Sequence, residues 1–465
     1  MSFDEDLPFE LISKVFIHCL PRYGRVRPDP QLAPLLLLQI CSRWRAVALA
    51  TPWLWNSIFL ECFRESGYTG LSILFEDELP LAIHPIASLV DLWFSRCEGF
   101  PLSITLLSRE VGLSLPYGVI GVIQSRCSWW NRLELRLANQ NLTDLFSVEG
   151  PFPLLQNVAL GNSSYNVLPL PFEIQRDVYL KSPSLEIFRM RHSSINPFFK
   201  GVMGGGPKLH TMELCHHRFD FDSLTEFFSL LPDLRHLNVE VYNPSGVVSS
   251  LRRLSIPGLK TLVVERNIDF LAYISAPALE DLGVPVQTEL DATIVVSFVS
   301  RSGCALHGLS LRNVTMSHDT WSVLLPVTTT VATLDLHKSS FGTSLGNDIL
   351  FPRNRMLPCL RNLSIVAHPS LAVYDELFRI LNAHQTAWLT RVYIRILPNH
   401  HWGGDPNSVP APTAEVLGHI RHFDSLGFAM SLETPDFRWP MDATNEVETD
   451  FNIFQPDEPM PFAIW

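Results

Sequence analysis

Pro232-Asp233-Leu234-Arg235-His236-Leu237-Asn238-Val239 carries a unit that the chain repeats: a leucine, a hydrophobe three places on, a second hydrophobe two places later, and a proline two places before the leucine. Copies begin at Leu155, Leu185, Leu209, Leu234, Leu259, Leu279, Leu306, Val331, Leu360 and Leu389, with a weaker one at Trp130. The proline recurs at Pro153, Pro183, Pro207, Pro232, Pro257, Pro277 and Pro358. Hydrophobes alternating over so few residues predict a short strand with one buried face. A proline just ahead of it predicts the turn that feeds the strand. Start-to-start spacings run from 20 to 30 residues. An ordinary doubly wound domain needs no such recurrence, whereas an array of one supersecondary unit does.

Helical patterns lie between the strands. In 222–231, Leu224, Phe227, Phe228 and Leu231 fall on one side, and similar stretches occupy 291–299, 319–325 and 375–381. Residues 86–107 begin the series, with Leu89, Leu92 and Trp93 on a helix and Leu102–Leu106 as a strand. Such a unit cannot bury its apolar face alone, so strand alternating with helix predicts stacked units with a parallel sheet inside and helices outside. The array resembles a leucine-rich repeat. It departs from that pattern where the turn after the strand should carry Asn or Cys, which predicts an irregular arc with uneven loops such as 162–177 and 337–356. The expected fold class is α/β. Residues 130–434 are expected to form an irregular leucine-rich-repeat solenoid, a curved parallel sheet with outer helices, and 61–129 a connecting region with the first helix-strand units. Residues 435–465 are an acidic, proline-rich tail. The tail's composition favours weak structure, while Trp439, Phe451, Phe454, Phe462 and Trp465 favour docking onto the last repeat.

The first 60 residues read differently. Pro8 suits the first turn of a helix, and Glu10 suits its positive end. Leu11, Val15 and Cys19 then form one row, with Ile12, Phe16 and Leu20 beside it. Residues 21–30, with Gly24, Arg22, Arg25, Arg27 and further prolines, read as an exposed loop. A second helical stretch carries Leu35, Leu36, Leu37, Ile40, Cys41, Trp44, Val47 and Ala48, and Thr51-Pro52 breaks it. A module this small cannot bury so many large side chains internally. Periodicity alone fits a helical cap on a larger core as well as a docking surface.

Three segments in order then match one family: Leu7-Pro8-Phe9-Glu10-Leu11-Ile12, Ile40-Cys41-Ser42-Arg43-Trp44-Arg45, and Pro52-Trp53-Leu54-Trp55. Residues 5–60, within a helical module of 1–60, resemble an F-box, although the loop between its first two helices is longer than in the compact form of the motif. The resemblance implies a Skp-type adaptor as partner and, through it, a cullin. It places Leu7, Pro8, Leu11, Ile12, Val15, Phe16, Leu36, Ile40, Cys41 and Trp44 in the adaptor interface. Trp53 and Trp55 are expected to pack the module onto the next part of the chain. An F-box followed by such repeats resembles the substrate-recognition subunits of SCF-type ubiquitin ligases, in which the repeats hold an unknown target protein; a non-degradative interaction scaffold is the alternative.

If the repeats hold a target, the outward strand positions that alternate with the buried ones should meet it. One such row is Glu134, Ala159, Arg189, Glu213, Asn238, Val263, Gly283, Ser310, Asp335, Ser364 and Tyr393, and the next runs from Arg136 through Arg191, Cys215, Glu240, Glu265, Arg312 and His337 to Arg395. Arg189, Arg191, Glu240, Arg312, His337, Tyr393 and Arg395 are the expected target contacts.

Composition narrows the function classes. Charged residues make up 18% of the chain and the net charge is −12, so no overall basic field favours nucleic acid or an anionic membrane. The acidic start lacks the basic and apolar runs of a secretory leader, which predicts a cytoplasmic or nuclear protein, with no membrane partner. Eight cysteines without a Cys-x-x-Cys pair predict reduced thiols. Gly201 to Lys208 resembles a phosphate loop only in its glycines, because no Gly-Lys-Ser/Thr follows and Pro207 interrupts. His216-His217 and His400-His401 lack the spacing of metal ligands on one helix face. No catalytic residue, metal or cofactor is expected, and the chain reads as no enzyme in itself.

Overall fold

A computed structural model describes residues 7–21, 25–64, 71–73, 83–108, 115, 117–162, 178, 181–191, 208–217, 228, 231–241, 254–265, 268–284, 291–312, 318–337, 357–367, 390–396, 417–418, 421–422, 425, 429–434 and 437–439. The chain divides into two compact units, Met1–Asp233 and Leu234–Trp465. The expected helix at 375–381, most of that at 222–231, the long loops, the glycine run, His400-His401 and most of the tail lie outside the described residues.

The first unit opens with helix α1 (Phe9–His18), which starts directly after Pro8. The expected second helix is two pieces, α2 (Leu37–Ile40) and α3 (Ser42–Leu49). Cys41 separates them because its backbone is extended, at φ −156° and ψ 169°. Its sulfur accepts the Trp44 backbone N–H at 3.4 Å, so the same residue that ends one helix caps the next. Strand β1 (Ser57–Arg64) follows, then β2 (Leu71–Ile73), α4 (Ile83–Ser95), β3 (Leu102–Ser108), α5 (Tyr117–Gln124), β4 (Trp130–Leu137), α6 (Asn139–Phe146), β5 (Asn157–Asn162), β6 (Ile187–Arg191) and β7 (Thr211–His217). The strands lie in the order β2-β1-β3-β4-β5-β6-β7. Every neighbouring pair is parallel except β1 with β2. The sheet therefore starts at Ser57, within the stretch read from sequence as the end of the helical module.

The second unit repeats this plan with β8 (His236–Val241), β10 (Thr261–Val264), β12 (Asp281–Val284), β13 (Gly308–Arg312), β14 (Thr333–His337), β15 (Asn362–Ala367), β16 (Arg391–Ile396) and β17 (Ala429–Thr434), all parallel in that order. Strand β18 (Phe437–Trp439) adds to β17 antiparallel, so the described start of the tail is ordered as an edge strand. Strands β9 (Leu254–Ser255) and β11 (Ile274–Ser275) pair separately. Helices α7 (Ala292–Ser302) and α8 (His318–Thr328) fall where the apolar spacing predicts them. Asp291 caps α7 by accepting the Thr293 N–H at 3.0 Å, and Gly303 ends it at φ +65°, a left-handed conformation that a side chain would strain.

The prolines have a definite structural role. Leu155, Leu185, Leu259, Leu279 and Leu360 each donate their N–H to the carbonyl three residues back, on Phe152, Ser182, Ile256, Ala276 and Leu357. Pro153, Pro183, Pro257, Pro277 and Pro358 thus occupy the second position of a four-residue turn, where their fixed φ is already correct. The leucine then points inward, and the next residue starts a ladder between repeats: Gln156, Glu186 and His210 in the first unit, and Lys260, Glu280, His307, Ala332, Arg361 and Thr390 in the second, each donate to the equivalent residue one repeat earlier at 2.7 to 3.0 Å. Leu133, Leu135, Val158, Leu160, Phe188 and Met190 in one unit, and Leu262, Leu282, Leu309, Leu334 and Leu363 in the other, are almost fully buried. Helices pack on that side: Trp130 meets the ring of Phe146, from α6, at 6.1 Å, and stacks on Phe152 at 5.1 Å. The protein is a mixed α/β structure built on a large parallel sheet.

Candidate functional site

Two surfaces carry the residues singled out by sequence. The first is the helical module. Its core is filled by its own side chains: Ile12, Phe16, Leu37, Val47 and Ala48 are each at most 4% exposed. The ring of Phe16 lies 4.9 Å from that of Trp44, which is half-buried. Polar contacts close the frame. Ser13 and Thr51 join their hydroxyls at 3.0 Å, Thr51 donates to the Val47 carbonyl at 2.7 Å, and Arg43 donates to the Leu7 carbonyl at 2.5 Å.

With that core complete, an apolar set remains outside it. Leu11 is 46% exposed, Val15 53%, Leu36 41% and Ile40 53%, and Pro8 and Cys41 are also exposed. Leu11 and Val15 are one helical turn apart and share a flank of α1. Of the ten residues expected at an adaptor, these six present side chains to solvent. Leu7 and Trp44 are intermediate, and Ile12 and Phe16 point into the module. Phe9, Ile17, Leu49 and Trp53 are exposed as well, and sequence periodicity did not single them out as contacts.

The module is joined to the sheet through an aromatic core. Trp55 is fully buried, meets Trp93 of α4 edge-on at 4.9 Å, and donates its indole N–H to the Ala48 carbonyl at 2.9 Å. Trp93 in turn donates to the Ser57 carbonyl at 3.0 Å. Arg96 lies 4.3 Å over the Trp55 ring. The Cys97 thiol donates to the Trp55 carbonyl, and burial pushes its pKa up to about 12. Trp53, half exposed, rests 5.1 Å from Phe100.

The second surface is the sheet face opposite the leucines. In the first unit, strand register aligns Phe59, Thr105, Glu134, Ala159, Arg189 and Glu213. In the second it aligns Asn238, Val263, Gly283, Ser310, Asp335, Ser364, Tyr393 and Ser431. The row inferred from sequence is therefore a true row within each unit. It is less open to solvent than alternation implies, because parallel neighbours crowd one another: Glu134, Glu213, Val263, Ser310 and Ser364 are all below 7% exposed. Charges pair along it and along the next outward row. Arg189 lies 3.3 Å from Glu213, Arg312 lies 3.7 Å from Glu265, and Asn238 donates to Glu265 at 3.0 Å. Asp335 accepts from Ser310 at 3.0 Å. Its pKa is raised by burial, against the opposing effects of the Ser364 hydrogen bond, Arg312 and Ser310.

Among the expected target contacts, Arg189 and Arg312 are thus ion-paired, Glu240 is 3% exposed, and Tyr393 and Arg395 are half-buried. Arg191 and His337 lie on strands, with side chains outside the described residues. Sequence reasoning missed Arg25 and Arg27. The loop that carries them, expected in solvent, has Val26 1% exposed and Pro28 buried, and it lies against β1. The signal was present as arginines in a loop and glutamates in strands, but pairing across 34 and more residues has no local signature.

Among the described residues, no three His, Cys, Asp or Glu side chains come together to hold a metal, and no helix is long and apolar enough to cross a membrane. Comparison with known proteins gives no match, either to any protein-family model or to any curated protein.

Proposed function

We propose that the chain is the substrate-recognition subunit of an SCF-type ubiquitin ligase, with 1–60 acting as an F-box that docks on a Skp-type adaptor and the repeats acting as a leucine-rich-repeat solenoid that holds a target protein. The observation that carries this reading is the exposed apolar set Leu11, Val15, Leu36 and Ile40 on helices whose own core is already full. Exposed hydrophobes on a packed helical module are what a docking surface requires. The turn-and-ladder repetition supports the solenoid reading, since each unit meets its neighbour through the same positions.

The chemistry asked of such a subunit is proximity. Tethering a target beside a ubiquitin-loaded enzyme raises the effective concentration of its lysines with no reactive group on the receptor. The proposal accordingly assigns no catalytic residue, cofactor or metal to this chain, and it places the protein in the cytoplasm or nucleus, where the adaptor and cullin work. The test is affinity purification of the full chain with quantification of adaptor and ubiquitin conjugates, against Leu11→Asp/Ile40→Asp. Recovery of adaptor with the wild type and its loss with the variant is expected. Adaptor capture with unchanged target lifetime would instead favour a non-degradative scaffold.

A further inference from the structure

Residues 25–28 lie across the start of the sheet, and their contacts are specific. The Phe59 N–H, on the β1 edge that β2 does not reach, donates to the Val26 carbonyl at 2.8 Å. Arg27 donates to Glu61 of β1 at 3.3 Å, with its guanidinium 4.8 Å over the Phe59 ring. Arg25 reaches Glu134 of β4 at 3.8 Å and lies 6.0 Å from the same ring. Glu61 and Glu134 are 7% and 5% exposed. Carboxylates buried to that degree are costly without a counter-charge, and cationic groups over an aromatic ring add attraction.

We propose that Arg25–Pro28 is a strap that locks the docking module onto the first strands, fixing the direction in which the module faces relative to the sheet. The strap ties the linker between α1 and α2 to β1 and β4 independently of the Trp55–Trp93 core. Its arginines also lie against Phe59 and Glu134, the first and third positions of the outward row, so the part of that row left for a target begins at Ala159. As a statement about docking geometry this rests on the reading given under Proposed function; the strap itself does not.

The experiment is limited trypsin digestion of the full chain at the Arg25-Val26 bond, with hydrogen exchange of residues 57–62. Glu61→Gln/Glu134→Gln removes the counter-charges and leaves the cleavage site intact. Cleavage at that bond is expected to accelerate at least about tenfold, the equivalent of roughly 1.4 kcal/mol of local opening, with faster exchange at Phe59. In the Glu61→Arg background, adding Arg27→Glu should restore slow cleavage. Should the double glutamine variant fail to fold, Arg27→Gln, at the more exposed partner of Glu61, removes the same pair, leaves the Arg25-Val26 bond intact and should show acceleration in the same direction. Cleavage at the wild-type rate in the folded variants overturns the strap. Adaptor affinity, measured on the same proteins, is expected to be unchanged. A wild-type chain that binds no adaptor would remove the docking reading and leave the strap standing.

Discussion

Replacing Trp55 by alanine should loosen the joint between the helical module and the sheet more than any other single change. The ring has no solvent exposure, meets Trp93 at 4.9 Å, and donates to the Ala48 carbonyl at 2.9 Å. Truncating a buried tryptophan costs about 3–5 kcal/mol in lost burial and residual cavity. The lost hydrogen bond adds little here, because the Ala48 carbonyl also faces backbone N–H groups at the end of α3. Trp55→Phe keeps most of the ring and should cost about 1–2 kcal/mol. Urea unfolding followed by far-ultraviolet circular dichroism measures both, and a cycle with Trp93→Ala should give a coupling of at least about 0.5 kcal/mol for the edge-on pair. A loss below about 1 kcal/mol for Trp55→Ala, or additive effects of the two tryptophans, would refute the claim that this pair is the joint.

Other expectations rest on single residues. Burial, with Glu280 next, raises the Asp281 carboxyl to about 6, against an ordinary value of 3.8. Its folded form therefore holds a proton more tightly than the unfolded chain, so its contribution to stability is largest below about pH 4 and is lost as pH rises through about 6. Asp281→Asn should be the more stable protein at pH 7, by at most roughly 3 kcal/mol, and should lose that advantage at pH 4 in paired denaturation curves. Gly303→Ala should cost about 1 kcal/mol or more, read by thermal unfolding, since φ +65° is unfavourable for a residue with a Cβ. Cys97 should resist a thiol reagent at pH 8 in the folded protein while exposed Cys19 and Cys41 react, as mapped by mass spectrometry.

The sheet was legible because its signal is local and repeated. Each Pro-x-Leu turn states where a strand begins, and the two hydrophobes after it state which face is inside, so the register of the outward row could be written down without coordinates. Helices α7 and α8 were legible from Asp at the start and apolar spacing. The break at Cys41 was not, because Leu35 to Ala48 is continuous in helical periodicity, and what divides it is the extended backbone of one residue whose sulfur caps the next turn. The joint at β1 was hidden for another reason: Ser57 to Leu60 comes directly after the tryptophans, and nothing local says that it will pair with Leu102–Ser108, more than 40 residues away. The same holds for Arg25 and Arg27. Sequence marks a charged loop, whereas only folding brings Glu61 and Glu134 beneath it. Within the expected adaptor set, helical spacing placed Ile12 and Phe16 beside Leu11 and Val15 without saying which row faces inward; packing of Phe16 on Trp44 of α3 decides that.

The docking claim is tested most directly by titrating the full chain with a purified Skp-type adaptor in a calorimeter, beside the Leu11→Asp/Ile40→Asp variant confirmed to be folded. Because a few anchors carry most of such an interface, each worth about 2 kcal/mol or more, the wild type should bind and the variant should lose at least about 30-fold in affinity. A wild-type chain that gives no binding, or a folded variant that binds as tightly as the wild type, would contradict the account.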